Sequence, residues 1–236
     1  MNADVAILIP AYDPDEKLVA LVEKLRTLFA HLVVVDDGST RGQEVFAAIR
    51  PFVDALLVHA ANRGKGAALK TGLAWIRDHL PAVKGAVTAD ADGQHLPEDI
   101  CRVAEATAAR TGGIVLGVRQ FEGRKMPFRS RWGNWWARAE ARVATGFAIA
   151  DTQTGLRGIP AGLFGRMLAL PGDRYEYETK MLLDLRHHAE PPCQIPIRAI
   201  YIDGNSSSHY RPLRDTLLTQ GAMLRGLFRR LLGLSS

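Results

Sequence analysis

Short apolar, β-rich runs alternate with stretches of helical period through the first half of the chain, and few architectures accommodate that alternation. Residues 5–9, 32–35, 55–58, 86–89 and 114–118 read as strands, and residues 15–29, 42–49, 65–79 and 97–109 read as helices. Such an order predicts an α/β domain with a mostly parallel central sheet and helices on both faces. In sheets of this kind ligands bind outside the carboxyl ends of the strands, where loops and helix N-termini collect. The chemically strongest residues follow strands directly. Pro10, Ala11, Tyr12 and Asp13 follow the first, Asp36 to Ser39 the second, Asn62 to Gly66 the third, and Asp90 and Asp92 the fourth. Four loops therefore converge on one rim.

The second half is less regular. A Trp-rich and Arg-rich segment (129–142) leads to a loop at 151–158, a helix at 177–188, a strand at 195–202 and a last helix from about Arg211. There is no internal repeat. The polar run 205–208 marks the one candidate boundary, giving a domain of residues 1–208 and an amphipathic C-terminal helix or tail of 209–236. A length of 236 residues, 47% of them apolar and 23% charged, suits one substantial core. The net charge is +5, and residues 209–236 hold five arginines against one aspartate. That excess favours phosphate-bearing partners and leaves nucleic acid, an anionic membrane and sugar nucleotides all open. Cys101 and Cys193 have no metal-like spacing and suggest a reducing compartment. Neither a cleavable leader nor an uninterrupted apolar span is evident, so a cytoplasmic or peripheral protein is expected.

Asp90 and Asp92 stand two apart at a strand end, where a slight turn brings both carboxylates to the same rim. Two close carboxylates repel each other unless a cation lies between them. Hard oxygen ligands with open positions suit Mg2+ or Mn2+ shared with substrate phosphates. The competing reading is a solvated Asp-Gly turn that ends the strand. Asp36 and Asp37 either accept hydrogen bonds from a ribose or base edge or join Ser39 and Thr40 in capping the next helix. The run Asn62 to Gly66 opens a helix with backbone amides and two cations, an arrangement able to hold phosphate. It lacks the Walker spacing, and a glycine-rich turn with solvated charges is its alternative.

The succession ILIPAYD, VVVDDGST, NRGKGAALKTGL, TADADGQH and DTQTGLRG resembles the family 2 glycosyltransferases with a GT-A (Rossmann-like) fold, and within them the dolichyl-phosphate or polyprenyl-phosphate sugar synthases. The likeness spans roughly residues 5–210. Each motif is weak alone; five in the expected order on the expected loops are specific. The resemblance implies that Pro10, Ala11, Tyr12 and Asp13 line the nucleotide, that Asp36 holds base or ribose, and that Lys65 lies close by. It implies that Asp90 approaches nucleotide and metal, with Asp92 and Gln94 as metal ligands. Arg119 and Arg131 match arginines used on a lipid phosphate, while Asp151, Gln153 and Arg157 fall in the acceptor-side motif. SSSHYRPLRD matches the loop that closes over the diphosphate, which makes Ser208, His209 and Arg211 candidates. Longer family members carry C-terminal transmembrane helices. Here residues 213–234 are apolar at several positions but cut by five charged ones, which suits a helix docked on the domain or lying on an anionic membrane face.

The implied reaction is inverting transfer from a nucleoside diphosphate sugar, with Mg2+ or Mn2+ stabilising the leaving diphosphate, to a lipid phosphate or a glycan acceptor; nucleic acid is not among the implied partners. An ionised acceptor phosphate needs no strong base. A hydroxyl acceptor does, and Asp151 is then the candidate, with Asp92 and Arg157 completing the catalytic set. A sugar nucleotidyltransferase is disfavoured by the lack of a glycine-rich signature before Lys17. A catalytically silent nucleotide-binding or membrane-associated scaffold is the non-enzyme alternative.

Overall fold

The computed structural model describes residues 1–120, 142–143 and 145–198. In chain order these form β1 (Asn2–Ala11), α1 (Glu16–Leu28), β2 (Phe29–Asp36), α2 (Gln43–Ile49), β3 (Ala55–Val58), α3 (Lys65–His79), β4 (Gly85–Thr88) and α4 (Pro97–Ala108). β5 (Val115–Gln120), β6 (Arg157–Pro160), α5 (Phe164–Ala169), α6 (Glu176–Leu183) and β7 (Cys193–Arg198) follow, with a 3-10 turn, Asp184–His187, closing α6. The strands make one sheet in the order β3-β2-β1-β4-β6-β5-β7. β6 is antiparallel to both of its neighbours, and every other described pairing is parallel.

β1 is the spine because Val5 to Ile9 are buried without a break, as a strand covered on both faces requires. Val5, Ile7 and Ile9 face a core completed by Leu18, Val22, Leu25, Ile49, Ile100 and Val103. Ala6 and Leu8 face the other core, completed by Leu69, Leu73, Ile76, Tyr177 and Leu182. The strand period of two sends alternate side chains to opposite layers.

The helices follow the same logic. In α1 the buried residues Leu18, Leu21, Val22 and Leu25 recur at helical spacing, and the Asp15 carboxylate caps the first turn by accepting from the Lys17 amide at 3.0 Å. α4 starts at Pro97 after an extended Leu96 and buries Ile100, Val103, Ala104 and Thr107 at the same spacing.

Through β3 the chain winds to one side of β1, and β4 then pairs on the other side. The crevice between the carboxyl ends of β1 and β4 is therefore the switch point at which ligands of open α/β sheets bind. Expected and observed elements differ in the second half. The segment 151–158, read as a loop, contributes half of β6, and the helix expected over 177–188 ends at Leu183 and tightens into the 3-10 turn. β7 (193–198) begins two residues before the strand expected over 195–202, of which 199–202 lie outside the described residues. The expected boundary at 208, the C-terminal helix and residues 129–141 of the Trp-rich segment lie outside the described residues. Among the described residues no helix is long and apolar enough to cross a membrane.

Candidate active site

A cleft of about 370 Å³ opens at the carboxyl ends of β2 and β3, lined by Tyr12, Asp36, Gly38, Ser39, Thr40, Gln43 and the run from Val58 to Asn62. Gly38 lets the two loops touch. It sits at φ +72°, and a Cβ there would stand 2.6 Å from Ala61 Cα and from the Asn62 nitrogen. One oxygen of Asp36 accepts from the Ser39 amide at 2.8 Å, which fixes the carboxylate at the cleft wall. Pro10 and Ala11 end β1 beside Val35 and Asp36. Asp13, at φ +46°, turns its carboxylate into the neighbouring loop, where it accepts from the Thr40 and Arg41 amides at 2.7 and 3.0 Å. Asp13 thus braces the wall of the cleft instead of lining it.

Asp37 has a different task from Asp36. It is buried and accepts from the Arg63 amide at 3.0 Å and the Gly64 amide at 2.7 Å, with His59 Nδ1 at 2.6 Å. His59 in turn meets Thr71 Oγ1 at 2.9 Å. The Ala67 amide donates to the Asp173 carbonyl at 2.9 Å. Amides at the start of α3 that the sequence suggested for phosphate are therefore partly consumed inside the protein.

The carboxylates after β4 occupy contrasting surroundings. Asp90 Oδ1 lies 2.7 Å from Lys65 Nζ, and Oδ2 lies 3.3 Å from His95 Nε2. Burial alone would raise the Asp90 pKa, but the charges of Lys65 and His95 hold it well below the usual carboxylate range. Lys65 also contacts Glu178 Oε1 at 3.0 Å, and the two acidic neighbours override burial to keep its ammonium charged. Asp92 is less well compensated: burial first, and the Asp90 charge second, push its pKa up against the smaller opposing effects of the Gln94 backbone N–H, His95 and Lys65. Its Oδ1 accepts from the Gln94 backbone N–H at 3.0 Å, so Gln94 joins the same turn.

Gly155 closes the cluster from the β6 side. A Cβ at this position would stand 2.8 Å from both Cγ and Oδ1 of Asp90 and closer still to Oδ2, so only a glycine lets the carboxylate lie on this backbone. Among the described residues no three His, Cys, Asp or Glu side chains converge as a metal cage. A half-relieved carboxylate pair at a ligand-binding crevice fits the other arrangement, in which a hard cation takes one or two protein oxygens and the rest from phosphates and water.

Asp151 and Arg119, the latter on β5, form a two-pronged pair, with Nε to Oδ2 at 2.7 Å and the second prong at 3.1 Å. Burial would raise the Asp151 pKa, but Arg119 lowers it below its ordinary value. The Gln153 backbone N–H donates to Asp151 Oδ1 at 3.0 Å. Arg157, opposite Thr88 in the sheet, is 1% exposed, and its guanidinium donates to the Thr154 and Glu178 carbonyls at 2.9 and 2.5 Å. It lies beneath the rim, with Glu178, Asp151 and Asp90 as acidic neighbours. Arg131, Ser208, His209 and Arg211 lie outside the described residues. Reading the sequence missed Glu178 and His95 as partners of this cluster. The histidine of the TADADGQH motif was the only available signal for either.

The model for glycosyl transferase family 2 matches residues 6–165. The UDP-N-acetylglucosamine–dolichyl-phosphate N-acetylglucosaminyltransferase of Methanococcus voltae is 26% identical over 84% of this chain and 86% of its own. The undecaprenyl-phosphate mannosyltransferase of Micrococcus luteus is 32% identical over 66% of each chain. In fold, the chain is similar to glucosyl-3-phosphoglycerate synthase from Mycobacterium tuberculosis, solved with Mn2+, UDP and glucosyl-3-phosphoglycerate. The TM-score is 0.64 at 18% identity, covering all of this chain and 82% of that one. It is also similar to mannosyl-3-phosphoglycerate synthase from Rubrobacter xylanophilus, with a TM-score of 0.67 at 17% identity over 98% of this chain and 74% of that one. The switch-point crevice, the five ordered motifs and a family match over most of the described sheet converge: this chain belongs to the family 2 glycosyltransferases and has their GT-A fold.

Proposed function

We propose that this glycosyltransferase moves a sugar, with inversion, from a nucleoside diphosphate sugar seated in the switch-point crevice to a polyprenyl phosphate. The observation that carries the donor half is the carboxylate pair after β4 at the crevice rim, with Asp90 held by Lys65 and His95 and Asp92 turned onto the Gln94 backbone N–H beside it. On this reading base and ribose would occupy the cleft along Asp36 and Tyr12, and the diphosphate would extend to Asp92. Mg2+ or Mn2+ at Asp92, with Asp90 and Gln94 close by, would supply Lewis-acid stabilisation of charge developing on the leaving diphosphate. The relatives named for dolichyl-phosphate and undecaprenyl-phosphate acceptors support the lipid half.

The acceptor chemistry follows from Asp151. A general base for a sugar hydroxyl works best with a raised pKa, whereas Arg119 lowers that of Asp151. A phosphate oxygen is already ionised. It attacks the anomeric carbon from the face opposite the leaving group, the bond to the diphosphate breaks with its electron pair, and no proton moves. Asp151 then orients Arg119, which is a third exposed, to receive the acceptor phosphate. Buried Arg157 positions the 154–157 backbone and takes no direct part. The arginine-rich segment 209–236 suits docking at an anionic membrane face, where such an acceptor resides.

The test is a panel of UDP-, GDP- and dTDP-sugars with polyprenyl phosphate or a glycan acceptor, with and without Mn2+, read by product mass. Asp92→Ala should abolish transfer without lowering the melting temperature. Normal turnover by that variant, or transfer only to a hydroxyl acceptor, overturns the reading.

A further inference from the structure

Outside the family motifs, the strongest unassigned feature is the acidic residue behind Lys65. Glu178 projects from α6, and its side chain is 12% exposed, while that of Lys65 is 16% exposed. Glu178 Oε1 meets the Lys65 ammonium at 3.0 Å, and the same ammonium meets Asp90 at 2.7 Å. One cation is therefore shared by two carboxylates, and the second comes from an element that the β4 rim does not touch in sequence. Arg157 holds the Glu178 main chain in place through its carbonyl, and Gly66 of α3 packs so closely on α6 that a Cβ would stand 2.5 Å from Tyr177 Cβ. Glu178 has little freedom to move away.

We infer that Glu178 is a positioning residue for the donor site: by holding Lys65 between two carboxylates it keeps Asp90 from being neutralised by Lys65 alone and so preserves the negative field into which the donor's cation binds. The inference rests on the donor reading above. Two effects act in the same direction. Loss of the Glu178 charge weakens the field at Asp92, and it lets Lys65 lean wholly onto Asp90. Both lower the affinity for a divalent cation.

The experiment is Mn2+ binding to the full chain in the presence of UDP, followed by electron paramagnetic resonance, with melting curves confirming that each variant is folded. Glu178→Gln keeps the shape and removes the charge; it should weaken Mn2+ by roughly ten-fold, the scale of one nearby charge acting through an effective dielectric well above that of dry protein. Glu178→Asp should restore most of the affinity. Glu178→Ala serves as the second charge-removing variant should the glutamine form not fold. Lys65→Gln should move the other way and tighten Mn2+. A purely structural tie between α3 and α6 would change melting in all these variants and leave Mn2+ affinity untouched in every folded one; that result overturns the inference while the donor reading stands. Failure of the wild-type chain to bind Mn2+ with UDP would remove the donor reading itself, and this inference with it.

Discussion

Replacing Gly155 with alanine puts a methyl group against the Asp90 carboxylate. The added carbon would lie 2.8 Å from Cγ and Oδ1, against ordinary contacts that begin at 3.4 Å, and the second oxygen is nearer still. The carboxylate must therefore retreat by about 1 Å, and a misplacement of that size at a reacting centre costs on the order of 100-fold. The move breaks the 2.7 Å contact to Lys65 and the 3.3 Å contact to His95. Overpacking of a filled site also costs about 1–3 kcal/mol, and for a chain of this length each kcal/mol lowers Tm by roughly 2–4 °C. Gly155→Ala should lose about two orders of magnitude in kcat/KM for sugar transfer while remaining folded by circular dichroism, with a Tm lower by roughly 2–12 °C. The same variant with kcat/KM within three-fold of wild type would show that Asp90 need not sit where it does, and the reasoning about the cluster would fail.

Gly165, in α5, offers the opposite case: a Cβ there meets nothing within 4 Å, so Gly165→Ala should raise stability by roughly 0.5–1 kcal/mol in urea titration and leave turnover unchanged. Asp37→Asn should destabilise by about 1–3 kcal/mol, because an amide cannot accept from the Arg63 and Gly64 amides with both of its heads. A loss of donor affinity without any loss of stability would contradict its bracing role. At Asp184, burial alone would raise the pKa, but His188 and Arg166 hold it down at about 2. A depressed carboxylate stabilises fully above its ordinary value of 3.8 and loses that contribution as pH falls through the folded value. Asp184→Asn should therefore cost about 1–2 kcal/mol near neutrality once the partly exposed Arg166 is discounted for screening, with the gap to wild type narrowing toward pH 2. A gap that stays constant with pH would rule out the ion pair as its source.

What could be read from the sequence was set by how local each signal is. β1, β2 and β4 announce themselves because a strand buried on both faces must be an unbroken apolar run, and Asp90 and Asp92 stand out because carboxylates directly after such a run must face a rim. β6 did not announce itself. Its four residues, RGIP, carry no alternation, and only pairing with Gly85 to Thr88 on one side and with Val115 and Leu116 on the other makes them a strand. The same pairing explains Arg157: in a loop it reads as a ligand-binding cation, but as a strand residue between β4 and β5 it is enclosed. Glu178 was illegible for a related reason, since a glutamate in an amphipathic helix usually faces water and only tertiary packing brings it to Lys65.

The charge inventory of the crevice links these residues to the reaction. Leaving His95 aside, Asp90, Asp92 and Glu178 face Lys65 and, beneath the rim, Arg157. These carboxylates outnumber those two cations, and both cations are already engaged by protein groups. On the donor-site reading, an incoming diphosphate adds further negative charge to a place that already carries a surplus. That charge can be offset by a divalent ion at Asp92 or by the basic residues of segment 209–236, and the two routes respond differently to perturbation. An ion held by carboxylate and phosphate oxygens survives moderate salt and is stripped by a chelator. Donor binding that instead weakens steeply with salt and ignores chelation would assign the work to the arginines.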